Sequence, residues 1–254
     1  MQAGTAPAQA ETAVAVRELR KAFGSQQVLK GVSFQVARGS ALAVLGRSGQ
    51  GKSVILKMLI GLIKPDSGEV LIDGEEVSRL ETQELNRVRR RIGFLFQHGA
   101  LFDSLSVYEN VAFPLRRHTR QDEAEIARNV NHRLEQVGLA SSAHKMPSEL
   151  SGGMRKRVAL ARALVLDPRI LLVDEPSAGL DPVTASEIDA LLISRKQEDV
   201  TLVVVTHNIP SARAIADELL FLHDGVVLAR GDADSLTSSQ DEMVASFMRS
   251  GTGG

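Results

Sequence analysis

The segment GRSGQGKS, Gly46 to Ser53, follows the unbroken apolar run Ala41–Leu45 and leads into residues of helical pattern. The spacing G-x4-G-K-S between a buried strand and a helix is that of a phosphate-binding loop. Glycines let the main chain wrap an anion, and the amides of the helix start point at it. Lys52 can neutralise the β- and γ-oxygens, and the Ser53 hydroxyl can ligate a magnesium ion. An all-apolar strand entering such a loop reads as a central parallel strand covered on both faces, and the spacing predicts a helix over 51–62. The ligand implied is a nucleoside triphosphate with magnesium.

The rest of the chain fits this frame. Strand patterns stand at Val14–Leu19 and Val28–Val36, and again at 92–96, 170–173, 201–205 and 218–222, separated by helical periodicity or loops. That alternation is an α/β signature. Between Gln97 and Ser151 the pattern turns helical and charged, including Gln121–Val137, with no convincing strand, which predicts an inserted helical lobe at about 98–152. With 254 residues, 43% of them hydrophobic, the chain can build one large α/β domain with a smaller lobe, and a many-domain machine is excluded. The formal charge of −1 provides no global field toward nucleic acid or anionic lipid, so any such contact must be local. Cysteine is absent, which removes disulfides, thiolate catalysis and Cys-based metal sites. Residues 1–11 lack the basic start and apolar core of a secretory signal and are expected to form a disordered leader. The tail, 232–254, places Met243, Val244, Phe247 and Met248 on one face of a possible helix, docking on its own domain or on another subunit.

Three further motifs carry chemistry. ILLVDEP ends an apolar strand with Asp174 and Glu175, where open parallel sheets hold ligands. Asp174 suits a magnesium coordination shell, while Glu175, facing the other way, can polarise an attacking water as general base. TLVVVTHN repeats the geometry with His207, which can reach a γ-phosphate or orient that water; taken alone it reads more readily as structural. LSGGMRKR offers a second anion site: Ser151 caps a helix, and Gly152 and Gly153 leave its first amides open. One phosphate loop already serves a nucleotide, so this second site makes most sense closing over the nucleotide of another copy in a two-fold dimer.

Together these motifs, over residues 12–231, resemble the ATP-binding cassette (ABC) ATPases. The resemblance implies a P-loop NTPase core with an antiparallel β subdomain and the inserted helical lobe. ATP and Mg²⁺ would be held by Gly46, Arg47, Ser48, Gly49, Gln50, Gly51, Lys52, Ser53 and Val54, with Phe23 under the adenine. Gln97 would be the lobe-switch glutamine, also reaching the metal beside Ser53 and Asp174. Ser151, Gly152 and Gly153 would form the signature, Ser177–Asp181 a dimer-contact loop, and Glu175 with His207 the hydrolytic pair. Phe23 can equally be a core residue.

Residues 96–115, 150–163 and 175–185 look like the ATPases of Mla/Mce-type phospholipid transporters, chiefly through HGALFDSLSV after the glutamine and Met154 after LSGG. That likeness implies an MlaE-type permease, an Mce-domain lipid-binding partner, an ATP-sandwich homodimer, and a peripheral place on the cytoplasmic face of the inner membrane. Phe102, Leu105, Val107, Tyr108 and Phe113 can form an apolar groove for a permease helix or the lobe's own core. Arg116, Arg117 and Arg120 form a basic run that can face anionic head groups but reads more readily as solvated. Val54 and Ser177 depart from the family's commoner residues without touching Ser53 or Glu175. Rival readings are an ATPase of another ABC system, such as a solute importer or a lipoprotein-release or division complex. Less favoured are a soluble ABC ATPase and a small-molecule kinase, for which LSGG has no use.

Overall fold

A computed structural model describes residues 11–250, so the expected leader, apart from Glu11, lies outside the described residues, as does the end of the tail. The chain opens with β1 (Thr12–Phe23) and β2 (Gln26–Ala37), then β3 (Ala41–Leu45) and α1 (Lys52–Leu59). Next come β4 (Ser67–Ile72), β5 (Glu75–Glu76), α2 (Thr82–Arg89) and β6 (Ile92–Leu95). Helices α3 (Val107–His118), α4 (Glu123–Gln136) and α5 (Gly152–Leu164) follow, leading to β7 (Ile170–Asp174), α6 (Pro182–Gln197), β8 (Thr201–Thr206) and α7 (Ile209–Ile215). The described chain closes with β9 (Glu218–His223), β10 (Val226–Gly231), α8 (Ala233–Thr237) and α9 (Glu242–Ser250).

Two sheets form. The larger has the order β10-β9-β3-β8-β7-β6, in which every pairing but that of β9 with the edge strand β10 is parallel. The smaller, β2-β1-β4-β5, is antiparallel. The period of two in the apolar strands sorts their side chains onto two faces. Leu42, Val44, Leu172, Val203 and Val205 pack with α1 toward the antiparallel sheet, while Ala43, Leu45, Leu171, Val173 and Val204 pack toward α5, α6 and α7. Central β3, β7 and β8 are therefore buried along their whole length.

Helix α1 ends three residues short of the predicted 62 because Gly61 turns left-handed, with its N–H returning to the Met58 carbonyl. Three strands escaped the sequence reading. β4 begins Ser-Gly-Glu, β5 is only two residues long, and β10 is half-exposed and broken by Arg230, so none shows a clean apolar pattern.

Helices α3 and α4 each start with a capping box, Ser106 with Glu109 and Asp122 with Glu125. They share a separate apolar core, Val107, Val111, Ile126, Val130 and Leu134 among its members, with one face of α5. The opposite face of α5 belongs to the main core, so this helix ties the two together. Helix α9 docks on its own chain: Val244 and Met248 are fully buried, and the Phe247 ring lies 4.8 Å from that of Phe221. Met243 stays half-exposed. No helix among the described residues is long and apolar enough to cross a membrane.

Candidate functional site

Strand order builds the site. β3, β8 and β7 are neighbours in register, Leu45 beside Thr206 and Asp174 beside Val205, so their C-terminal ends open side by side. The phosphate loop leaves the first, His207 the second, and the acidic pair the third, while Gln97 follows β6 at the next position. This is where open parallel sheets bind ligands.

The loop needs its glycines at two places in particular. A Cβ on Gly46 would come within 2.4 Å of the Leu222 carbonyl oxygen, and Gly51, at φ 92°, would meet Val28 and Leu29 side chains at 2.9 Å. Lys52 is buried, and its Nζ donates to the carbonyls of Gly46 at 2.8 Å and Arg47 at 3.0 Å. It also lies 3.7 Å from a Glu175 oxygen. Burial pulls this ammonium below the usual lysine range, and the nearby Glu175 and Asp174 charges oppose the shift. The Gln50 side chain accepts from the Asp224 amide, tying the loop to the β9–β10 turn.

The two acids part as expected. Asp174 accepts a 2.8 Å hydrogen bond from the Ser53 hydroxyl. Burial pushes its carboxyl above the ordinary aspartate value, the Ser53 bond opposes this, and the Glu175 charge adds to it. Glu175 turns away: one carboxylate oxygen accepts from the Thr206 hydroxyl at 3.2 Å, the His207 amide at 3.3 Å and the His207 Nδ1–H at 2.9 Å. Its backbone is left-handed, φ 47°, a conformation that costs a non-glycine residue about 1 kcal/mol or more and clusters at functional sites. Its amide donates to the Val205 carbonyl at 2.8 Å.

A cavity of about 500 Å³ gathers Phe23, Ser48, Gly49, Gly51, Lys52, Ser53, Val54, Gln97 and Glu175. Phe23 is 48% exposed, which excludes the core reading; its ring carries the Lys21 ammonium 5.5 Å from its centre. Ser53 and Asp174 present hard oxygen donors side by side. Among the described residues no group of three His, Cys or acidic side chains could hold a metal unaided. An ion here therefore has to share its ligands with phosphate and water, which is the habit of Mg²⁺.

The signature residues do not line this cavity. Ser151 caps α5, accepting from the Met154 amide at 3.2 Å. No acid stands in that first turn, so the partial positive charge of the helix start favours an incoming anion. The basic residues that follow turn to the protein itself, Arg155 to the Leu150 carbonyl, Lys156 to that of Glu175 and Arg157 to Glu187. Gly153 also has a packing reason to be glycine, since a Cβ there would meet the Thr184 methyl at 2.3 Å. The residues after Gln97 divide between their two expected fates. Val107 joins the lobe core, whereas Phe102 and Phe113, 43% and 44% exposed, meet at a tilt with ring centres 4.8 Å apart at the mouth of a groove with Phe94, Phe96 and Pro114. Buried Asn110 clamps this loop, taking the Phe102 amide and donating to the carbonyls of Phe102, Leu105 and Ser106. Arg116 pairs with Glu123.

Sequence reasoning missed Lys156, Thr206 and Asn208. Thr206 takes the Asn208 amide at 3.0 Å, and the Asn208 side chain donates to Ser177 at 3.2 Å, joining the dimer-contact segment to Glu175. Lys156 was legible only by phase: with Gly153, Leu160 and Leu164 it falls on one buried stripe of α5.

The ABC transporter family pattern matches residues 29–178. A probable ribonucleotide transport ATP-binding protein, mkl, of Mycobacterium leprae is 44% identical over 93% of this chain and 68% of its own length. The intermembrane phospholipid transport system ATP-binding protein MlaF of Haemophilus influenzae is 42% identical over 93% and 90%. In three dimensions the chain is similar to the ATP-binding cassette MJ0796, solved as a post-hydrolysis dimer bound to ADP and Pi. Identity there is 35%, coverage 86% of this chain and 98% of that one, and the TM-score 0.81. The chain thus belongs to the ABC transporter family and is an ATP-binding, ATP-hydrolysing subunit of it.

Proposed function

We propose that this chain, with a cassette over 12–231 and a helical lobe near 98–152, powers phospholipid transport across a cell envelope as a homodimer closing on two MgATP. The observation that carries the hydrolytic part is the single cavity joining Phe23, the phosphate loop, Gln97 and Glu175, with Glu175 held by His207. In this reading Phe23 stacks on adenine and the loop amides with Lys52 hold the β- and γ-phosphates. Ser53, Asp174 and Gln97 ligate the metal, and Glu175 draws the proton from the attacking water while His207 fixes its carboxylate. Mg²⁺, when bound, would offset the charge that develops on the transferred phosphoryl group. Because Ser151, Gly152 and Gly153 stand away from this cavity, they serve the nucleotide of the partner copy.

The phospholipid cargo rests on the 42% identity to MlaF across nine tenths of that protein. Such a system pairs the ATPase with an MlaE-type permease and an Mce-domain protein, and the Phe102–Phe113 groove suits a permease helix at the membrane's cytoplasmic face. The mkl relative, whose name specifies ribonucleotide transport, favours a second cargo within the same mechanism.

Two experiments test these claims. Glu175→Gln is expected to bind ATP, trap the dimer and nearly abolish turnover; normal turnover in it refutes the base assignment. Purification from gently solubilised native membranes, with mass spectrometry of co-purifying subunits and lipids, tests the cargo. A multi-span permease, an Mce-domain protein and phospholipid support it, and a different substrate-binding partner overturns it.

A further inference from the structure

The left-handed Glu175 peptide is held from three sides. Its amide goes to Val205 and its carboxylate to Thr206 and His207, while its carbonyl oxygen accepts a 2.8 Å hydrogen bond from the Lys156 ammonium. That lysine comes from α5, five residues beyond the cap Ser151, and is only 5% exposed. A buried cation is a costly way to fill an apolar stripe, since a methionine of similar length occupies the volume without desolvating a charge. Burial does draw this amine down, to about 8, with Asp174 and Glu175 restraining the shift.

Location gives the cation its use. Helix α5 begins at the signature segment and lies against both loops that complete its own chain's cavity. Lys156 reaches the carbonyl of Glu175. Six residues on, Arg162 donates to the carbonyls of Gly99 and Ala100, just beyond Gln97, at 2.8 and 2.9 Å. A helix moves as a rod, so a shift of its signature end carries Lys156 with it.

We propose that Lys156 is a positioning residue, whose ammonium holds the Glu175 peptide in its left-handed conformation and so ties the aim of that carboxylate to the seating of the signature helix. The inference rests on Glu175 being the general base. Closure of a partner on Ser151–Gly153 would then set the base at the moment its own nucleotide is enclosed. A misplacement near 1 Å can cost a reaction up to about 100-fold, so the effect falls on the chemical step rather than on binding.

The test compares Lys156→Met, Lys156→Gln and Glu175→Gln in the full chain, purified with the membrane subunits that accompany it. Lys156→Met is expected to lower kcat at least about ten-fold with KM for ATP changed by less than about two-fold. Lys156→Gln, which keeps an N–H donor without the charge, is expected to recover much of that loss. Unchanged kcat in Lys156→Met overturns the proposal, as does a fall that Gln does not relieve or that comes with a matching rise in KM, the mark of a packing role. Should the Met variant not fold, Lys156→Leu is read in the same way. Normal turnover in Glu175→Gln would instead refute the base assignment itself, whatever the lysine variants do.

Discussion

Lys52 sits where two demands meet. Its ammonium is bound by loop carbonyls and lies near both acids, yet burial pulls it below the usual lysine range. Lys52→Ala is expected to weaken ATP binding about 10- to 100-fold, the size of a charge-assisted contact, measured by titration with a fluorescent ATP analogue. Retained tight binding would exclude its phosphate role. Lys156 carries a different consequence, for stability. Its folded value of about 8 lies under the ordinary 10.5, so between these the unfolded chain holds a proton that the folded chain has shed. Stability therefore rises with pH through that window, while below about 8 the penalty of the buried charge is present in full. Relative to Lys156→Met, the wild type should gain about 2 kcal/mol by ~pH 9.5, measured as urea unfolding at each pH. A constant difference would show that the amine does not titrate there. The residues of the phosphate loop were legible in sequence because loop geometry dictates their spacing. Lys156 and Thr206 were not, since their partners, Glu175 in both cases, are 19 and 31 positions away and meet them only through the register of β7, β8 and α5.

At the scale of elements, the contact between α5 and α6 decides how the signature is presented. Gly153 lets the two helices approach until only a hydrogen fits beneath the Thr184 methyl. Thr184 cannot simply turn, because its hydroxyl donates to Asp181, whose carboxylate also caps α6. Gly153→Ala is expected to cost about 1–3 kcal/mol of stability through overpacking. Thr184→Ser removes the methyl, keeps the hydroxyl and should return most of that loss in the double variant. Additive effects across the double-mutant cycle would show that the methyl is not the obstacle. The same scale explains what a reader of the chain can foresee. Apolar runs such as Ala41–Leu45 and Thr201–Thr206 announce central strands, because both of their faces must be covered. The antiparallel sheet is harder to see: β4 and β10 alternate weakly, and β5 exists only through its pairing with β4. The packing of α9 against Phe221 is likewise a tertiary contact that its amphipathic pattern alone does not specify.

For the whole molecule, the placement of the phosphate loop and the signature segment is the governing fact. The phosphate loop opens into a cavity with Glu175 and Gln97, and the signature lies outside it on the far part of the chain. A helix start with no acid in its first turn suits an anion, and its own chain's nucleotide cavity lies elsewhere. In the proposed dimer, two copies related by a two-fold axis would meet that preference reciprocally, each lending its signature to the other's nucleotide. The arrangement can be separated genetically. Lys52→Ala spoils the phosphate loop, and Ser151→Arg blocks the signature, so each homodimer holds two damaged sites. Mixed, they form a heterodimer in which the intact loop of one copy faces the intact signature of the other, alongside one doubly damaged site. ATP-dependent dimerisation and a fraction of wild-type hydrolysis are expected to return on mixing, with neither present in the separate variants. If the signature served its own chain's nucleotide, no mixture could regain activity, because every subunit would still carry one lesion in each site it builds.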